Sequence, residues 1–228
     1  MKDLHTHALP GIDDGAKNPK AALEMLEDSF CQGVRLCALT PHCVIHNKQD
    51  IKRFIDNRER CYEELKEYIG EKMVPELVLG AEVYADHDIS AHEDISKLCI
   101  GQSKYILMEL PFAIKYGWVS DCVYSLNLKG ITVIVAHLDR YPKWEEIVAE
   151  LRGLKVIYEI SAPTFLTISG RRLIKKIAQR VGKFIISSDM HNMTTRRCEI
   201  KKAFERARKM SKDFEDGYIR TIDIDGAE

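Results

Sequence analysis

Ile131-Thr132-Val133-Ile134-Val135-Ala136-His137 is the stretch whose reading decides the fold. It is short, β-branched and apolar on both faces, as a strand buried in a parallel sheet is. It runs straight into an ionisable side chain. The same arrangement recurs along the chain. Residues 34–39 lead to Pro41-His42, residues 77–83 hold Glu82, and residues 105–110 hold Glu109. Residues 183–187 lead to Ser188-Asp189-Met190-His191, and the opening residues 3–7 carry His5-Thr6-His7. Residues 156–160 form one more apolar run, which makes seven.

Helical patterns fill the intervals. Asn18-Pro19 is a cap and a first helical residue, Leu23, Leu26 and Phe30 follow at helical spacing, and Gly33 stands at the expected stop. Asp50 is expected to cap a second helix whose Ile51, Phe54, Ile55, Cys61, Leu65, Tyr68 and Ile69 share a face. Residues 144–151, 171–181 and 195–212 read as further helices, the last a charged, solvated one. Strand–helix alternation argues an α/β fold with a parallel sheet. Seven strands suit a closed barrel better than an open sheet, in one domain spanning 1–228. The polar, acidic tail 216–228 is expected to fray.

The 228 residues are ordinary for one α/β barrel. Net charge is −1, with acidic and basic residues reading as interspersed, which disfavours nucleic acid as a partner. The seven cysteines, at 31, 37, 43, 61, 99, 122 and 198, form no C-x-x-C pair and read as buried, reduced thiols. The start has no apolar signal region and no run reaches transmembrane length, so a soluble cytoplasmic protein without membrane insertion is expected.

The ionisable groups at the strand ends carry the chemistry. The carboxyl ends of parallel strands share one face, where active sites are built. His5 and His7 alternate on one side of a strand and can reach one metal together, and Asp189 and His191 likewise. Imidazole and carboxylate suit divalent ions such as zinc, manganese or iron, which activate water near neutral pH. Any one of these residues alone reads more readily as a paired core group. Together, after six of seven strands, they read as a site. His46, His87 and His92 lie in polar loops and read as surface residues. No G-x-S-x-G, P-loop or C-x5-R occurs, which leaves serine, nucleotide and thiol designs unsupported.

His5-Thr6-His7, residues 9–15 (LPGIDDG), Thr40-Pro41-His42, Gly80-Ala81-Glu82-Val83, Glu109-Leu110-Pro111-Phe112, His137-Leu138-Asp139-Arg140-Tyr141 and Ser188-Asp189-Met190-His191-Asn192 occur in a telling order. In that order the chain resembles the polymerase-and-histidinol-phosphatase (PHP) superfamily. It is most similar to the bacterial protein-tyrosine phosphatase branch linked to capsule and exopolysaccharide synthesis. The resemblance runs from residue 5 to about residue 196. It implies a distorted (β/α)7 barrel with up to three metals, often manganese, with iron or zinc as alternatives. It implies that His5, His7, Glu82 and Asp189 hold one metal. Glu82 would bridge to a second, held also by Glu109 and His137, and Asp14, His42 and His191 would hold the third. Arg140 and Arg196 match phosphate-gripping arginines, with Arg197 adjacent as the alternative to Arg196. The implied partner is a phosphotyrosine protein, a bacterial tyrosine kinase. Two departures stand out: Leu138-Asp139 replaces Pro-Glu before Arg140, and Met190 replaces a small residue. Tyr141 reads either as a rim contact or as a ring packed under its loop.

Other functions compete. A small-molecule phosphatase of the histidinol-phosphate type is the nearest. A nuclease of the same superfamily lacks a basic groove to support it. A non-catalytic metal-binding regulator would not need so complete a ligand set.

Overall fold

The computed structural model describes residues 1–112 and 116–210 together with Ile219, Ile222 and Ile224. The first part of the chain runs β1 (Lys2–Thr6), α1 (Pro19–Cys31), β2 (Leu36–Leu39), β3 (His42–Val44), α2 (Lys48–Ile69), β4 (Glu76–Leu79) and β5 (Glu82–Tyr84). There follow β6 (Tyr105–Glu109), α3 (Val119–Leu128), β7 (Thr132–Val135), α4 (Trp144–Glu150), β8 (Val156–Ser161), α5 (Ile168–Val181), β9 (Ile185–Ser187) and α6 (Ile200–Arg208). Every strand pairing between these elements is parallel. The α/β parallel class expected from the sequence is what the chain adopts.

One of the seven expected strands is broken, and another is followed by a short strand outside its expected bounds. Residues 34–39 and 42–44 form β2 and β3, parted at Thr40-Pro41, and residues 77–83 become β4 and β5, parted at Gly80-Ala81. Proline offers no amide to a ladder. Space at Gly80 is tight: a Cβ there would lie 3.0 Å from the Thr40 methyl and 3.2 Å from Ile100 Cγ1. The chain therefore forms a sheet β1-β2-β4 and a sheet β3-β5-β6-β7-β8-β9. Glu82 consequently opens β5 rather than ending a strand. At the other side, Asp189 N donates to His5 O and His7 N to Met190 O, both at 2.9 Å. These bonds tie the first strand to the segment that follows the last.

Side chains alternate across this sheet. Leu4, Leu36, Ala38, Leu107, Ile134, Ile157 and Ile185 form an inner apolar cluster, whereas Cys37, Leu39, Ile106, Met108, Val133, Val135, Ile160 and Ile186 pack with the helices. Of the tail 216–228, the three described residues do not fray. Ile219 bridges Phe184, and Ile222 and Ile224 are buried in the inner cluster. The rest of that tail lies outside the described residues.

The helices follow their apolar stripes, with adjustments at the ends. Asn18 caps α1 as expected, its side chain accepting from Ala21 N. In α2 the cap is Asn47, not Asp50. Asp50 sits three residues on and returns a bond to the Asn47 amide, completing a capping box. The last helix is shorter than 195–212: it begins only at Ile200, because Asn192 Oδ1 draws the amides of Thr194, Thr195 and Arg196 into a turn. Helix α3 has no counterpart in the sequence reading. The expected interspersion of charge also fails over residues 168–210, which are strongly basic.

Candidate metal centre

The strand ends bring the nine candidate ligands to one place. His5 Nε2 and His7 Nε2 lie 3.1 Å apart. Glu82 Oε2 is 3.2 Å from the first and 3.3 Å from the second, and Asp189 Oδ1 is 3.4 and 3.3 Å from them. His137 Nε2 is 3.0 Å from Glu82 Oε1 and 3.5 Å from Glu109 Oε1. Asp14 Oδ1 lies 3.4 Å from His42 Nε2 and 3.3 Å from His191 Nε2. His42 also reaches inward, its Nδ1 2.9 Å from Glu82 Oε2. Glu82 thus stands between all the imidazoles except His191. Three groups able to hold a cation emerge: His5, His7 and Asp189; His42, Glu82 and Glu109; and His7, Asp14, His42 and His191.

Local backbone explains how these side chains are aimed. The pairing of β1 with β2 shifts register between Asp3 and Thr6, an irregularity that spans Leu4 and His5. His137 (φ 34°) and Asp189 (φ 51°) are the non-glycine residues with left-handed backbone among the described residues. Such a conformation costs of order 1–3 kcal/mol and persists where the surroundings enforce it. Gly15 lets the loop after β1 fold back on itself. A Cβ there would fall 2.0 Å from His7 O.

Two carboxylates that the sequence reading left out orient the central histidines. Glu159, fully buried on β8, accepts from His5 Nδ1 at 3.0 Å. Asp13 accepts from His7 Nδ1 at 2.7 Å, and also from Gly15 N and His42 N. His191 Nδ1 donates to Asp189 O at 3.1 Å. In each case Nδ1 is engaged, so Nε2 faces the centre and is the atom a metal would take in place of a proton, as in carboxylate–histidine–metal arrangements. Glu159 had a signal. A carboxylate inside the apolar run 156–160 is costly to bury unless it has a partner.

Asp189 has two faces. Its Oδ1 turns to the imidazoles, and its Oδ2 takes both Arg140 and, at 2.6 Å, Arg196. Arg197 instead turns to Asp28, 3.6 Å away. Leu138 is buried and does not draw Arg140 from the site. Asp139 anchors that loop by accepting from Ser161 N and Thr164 Oγ1. Tyr141 is packed under the loop, with Leu110 N donating to its hydroxyl. Phe112 is half exposed at the mouth, its ring 6.5 Å from that of His137 and nearly parallel to it.

The electrostatics call for positive charge. Burial pulls His7 and His137 down, but Asp13, Asp189 and Glu82 for the first, and Glu109 and Glu82 for the second, push them up to about 10 and about 9. Burial likewise opposes ionisation of Glu82 and Asp189, yet the surrounding imidazoles, joined at Asp189 by Arg140, hold both well below the carboxylate range. Glu82 Oε2, Asp189 Oδ1 and His191 Nε2 are buried beside these groups yet make no well-formed hydrogen bond. Orphaned donors of nitrogen and oxygen type, converging on shared space among anionic carboxylates, fit divalent cations.

Of the three loop histidines, His46 and His87 are not isolated surface groups. Their rings stack at 6.0 Å and gather with Asp86. Six of the seven cysteines are buried, Cys31 being exposed. Burial pushes Cys43, Cys99, Cys122 and Cys198 up to about 12.

The tyrosine-protein phosphatase YwqE of Bacillus subtilis is 28% identical over 207 residues, covering 86% of this chain and 79% of the relative. The tyrosine-protein phosphatase CpsB of Streptococcus pneumoniae is 25% identical over 226 residues, covering 90% of this chain and 88% of the relative. A crystal structure from work on YwqE of Bacillus subtilis and CpsB of Streptococcus pneumoniae, named there unique metal-dependent tyrosine phosphatases, superposes with a TM-score of 0.72 at 26% identity. It covers 92% of this chain and 87% of that one. The family model for capsular polysaccharide synthesis proteins of the CpsB/CapC type matches residues 1–228, and the chain belongs to that family.

Proposed function

We propose that this chain is a metal-dependent protein-tyrosine phosphatase, a single cytoplasmic domain acting on a phosphotyrosine protein of capsular or exopolysaccharide synthesis. A bacterial tyrosine kinase is the substrate this reading names. Asp189 is the observation that carries it: one carboxylate oxygen is orphaned among imidazoles while the other holds two guanidiniums. A phosphate monoester dianion bound there would meet cations on one side and arginine forks on the other. His5, His7, Glu82 and Asp189 would hold one ion, Glu82, Glu109 and His137 a second, and Asp14, His42 and His191 a third. Manganese is the ion proposed, and iron or zinc would fit the same donors. When bound, such ions polarise phosphoryl oxygens and lower the pKa of water.

The chain's own residues supply the rest. Glu159 and Asp13 hold the rings of His5 and His7 with Nε2 turned to the centre. Arg140 and Arg196 can exchange Asp189 for non-bridging phosphate oxygens and stabilise charge as the bond to the leaving oxygen breaks. Phe112 offers an apolar wall to the phenyl ring of tyrosine phosphate, which favours this ester over histidinol phosphate. Buried thiols held near 12 leave a cysteine nucleophile without support. No described helix is long and apolar enough to cross a membrane. The test is kcat/KM with manganese on a phosphotyrosine peptide, histidinol phosphate and single-stranded DNA. The peptide is expected to be the best substrate. Preference for histidinol phosphate or DNA would overturn the assignment.

A further inference from the structure

A second feature lies on the outer wall. Residues 168–210 hold thirteen of the 34 Lys and Arg residues but only three of the 35 Asp and Glu. The structure gathers part of this charge into a groove of ≈ 380 Å³ between α5 and the end of α6. Arg171, Arg172 and Lys175 line one side and Arg206 and Lys209 the other, with Ile168 at the edge. Among the described residues none of these five cations has an acidic partner. Elsewhere on the surface the pattern is different: on α2, Arg53, Arg60 and Lys66 each lie beside an acid three or four residues away. Helix α5 carries no acidic residue at all. Like charges held side by side repel, so a groove of this kind is costly to keep unless an anion fills it.

Its place relative to the centre matters. Arg171, Arg172 and Lys175 belong to the first two turns of α5, the end that follows the carboxyl edge of β8. The turn before α5 is joined to the Arg140 loop, where Thr164 donates to Asp139. Arg171 is fixed in turn by donation to Phe165 O at 2.8 Å. The groove and the phosphate-facing arginines are therefore built on one continuous wall. The groove is concave and short, which suits a stretch of acidic or phosphorylated peptide better than a flat membrane or a duplex.

We propose that this groove is a docking site for an acidic segment of the same protein substrate whose phosphotyrosine enters the metal centre. This rests on the phosphatase reading and adds a second recognition element to it. Carboxylates or phosphates of that segment pair with Arg171, Arg172, Lys175, Arg206 and Lys209, which raises local substrate concentration and sets substrate choice.

The test compares two phosphotyrosine peptides, one flanked on both sides by runs of glutamate and one by runs of glutamine. Wild-type protein with manganese should prefer the glutamate peptide by about tenfold or more in kcat/KM, through KM, and lose that preference in high salt. The exposed pair R172E/K175E, and separately R206E/K209E, should abolish or invert the preference. An unchanged ratio in both variants would overturn the proposal. A second measurement does not involve catalysis: fluorescence anisotropy of a labelled glutamate peptide lacking phosphotyrosine. Binding to wild type that is lost in both variants supports the groove even if the phosphatase reading fails. No binding at low salt refutes it. Sedimentation with phosphatidylglycerol vesicles that depends on these residues, while both peptides are turned over alike, would assign the groove to a lipid surface instead.

Discussion

At one end of the strands the inward side chains are Leu4, Leu36, Ile134 and Ile157, packed with Ile222 and Ile224. At the other end the buried groups are His5, His7, Glu82, Glu159 and Asp189. The same strands supply both. Each buried aliphatic side chain at the first end contributes about 1.5–3 kcal/mol to folding. Each orphaned polar atom at the second costs about 1–3 kcal/mol. The apolar end is complete within the protein, whereas the polar end is balanced only by something cationic. The contrast separates what holds the fold from what the fold is for, and mutations at the two ends should divide along that line.

The largest expected effect comes from Glu82, which touches four imidazoles. Glu82→Ala should lower phosphatase activity on the order of a thousandfold and remove more than one ion per chain. Asp14→Ala, at the exposed edge, should remove only one. Metal analysis of the two purified variants decides this, and equal losses would break the partition.

Arg140→Ala comes next. It should reduce kcat by on the order of a hundredfold while bound metal stays at the wild-type level. Arg140→Lys should recover part of the loss, since an ammonium keeps the charge without the planar fork. Steady-state kinetics with parallel metal analysis would detect the alternative, a variant that fails because it has lost metal.

Ile134→Ala probes the other end. It should cost about 2–4 kcal/mol in denaturant unfolding yet leave metal content and kcat near wild type. If it emptied the metal centre instead, the two ends would not be separable.

The pattern of apolar runs ending in ionisable groups was enough to reveal the parallel class and the shared face, because both follow from side-chain alternation. It could not reveal the break at Gly80-Ala81, since an apolar run reads the same whether or not the ladder is interrupted, nor the three-residue strand at His42–Val44, which is too short to show a pattern. Glu159 was hidden for the opposite reason. It lies inside an apolar run rather than after one, and its partner His5 is 154 residues away. The alternating isoleucines 222 and 224 were masked by acidic neighbours. Their partners are the inner faces of distant strands. The basic groove was invisible to net charge because an acid-rich remainder cancels it.

A subtler difference should appear in pH dependence. His7 and His137 titrate near 10 and near 9 in the metal-free fold, above the ordinary 6.5. The folded state therefore binds protons more tightly than the unfolded state. Stability from this source is complete below about pH 6.5 and declines as pH rises through 9 and 10. Thermal unfolding of chelated protein should thus show a falling midpoint over that range, and manganese-loaded protein a flatter one, because the ion takes the place of the protons. Parallel curves would mean that the ions bind elsewhere.

The most direct test of the central claim, that the polar end is a metal centre, is hydrolysis of p-nitrophenyl phosphate by protein stripped with a chelator and dialysed, then titrated with manganese. The account requires activity to vanish on stripping, to return on titration, and to saturate as the ligands at His5, Glu82 and His191 fill, with thiol alkylation leaving it intact. Full activity in the stripped, metal-analysed protein would contradict it.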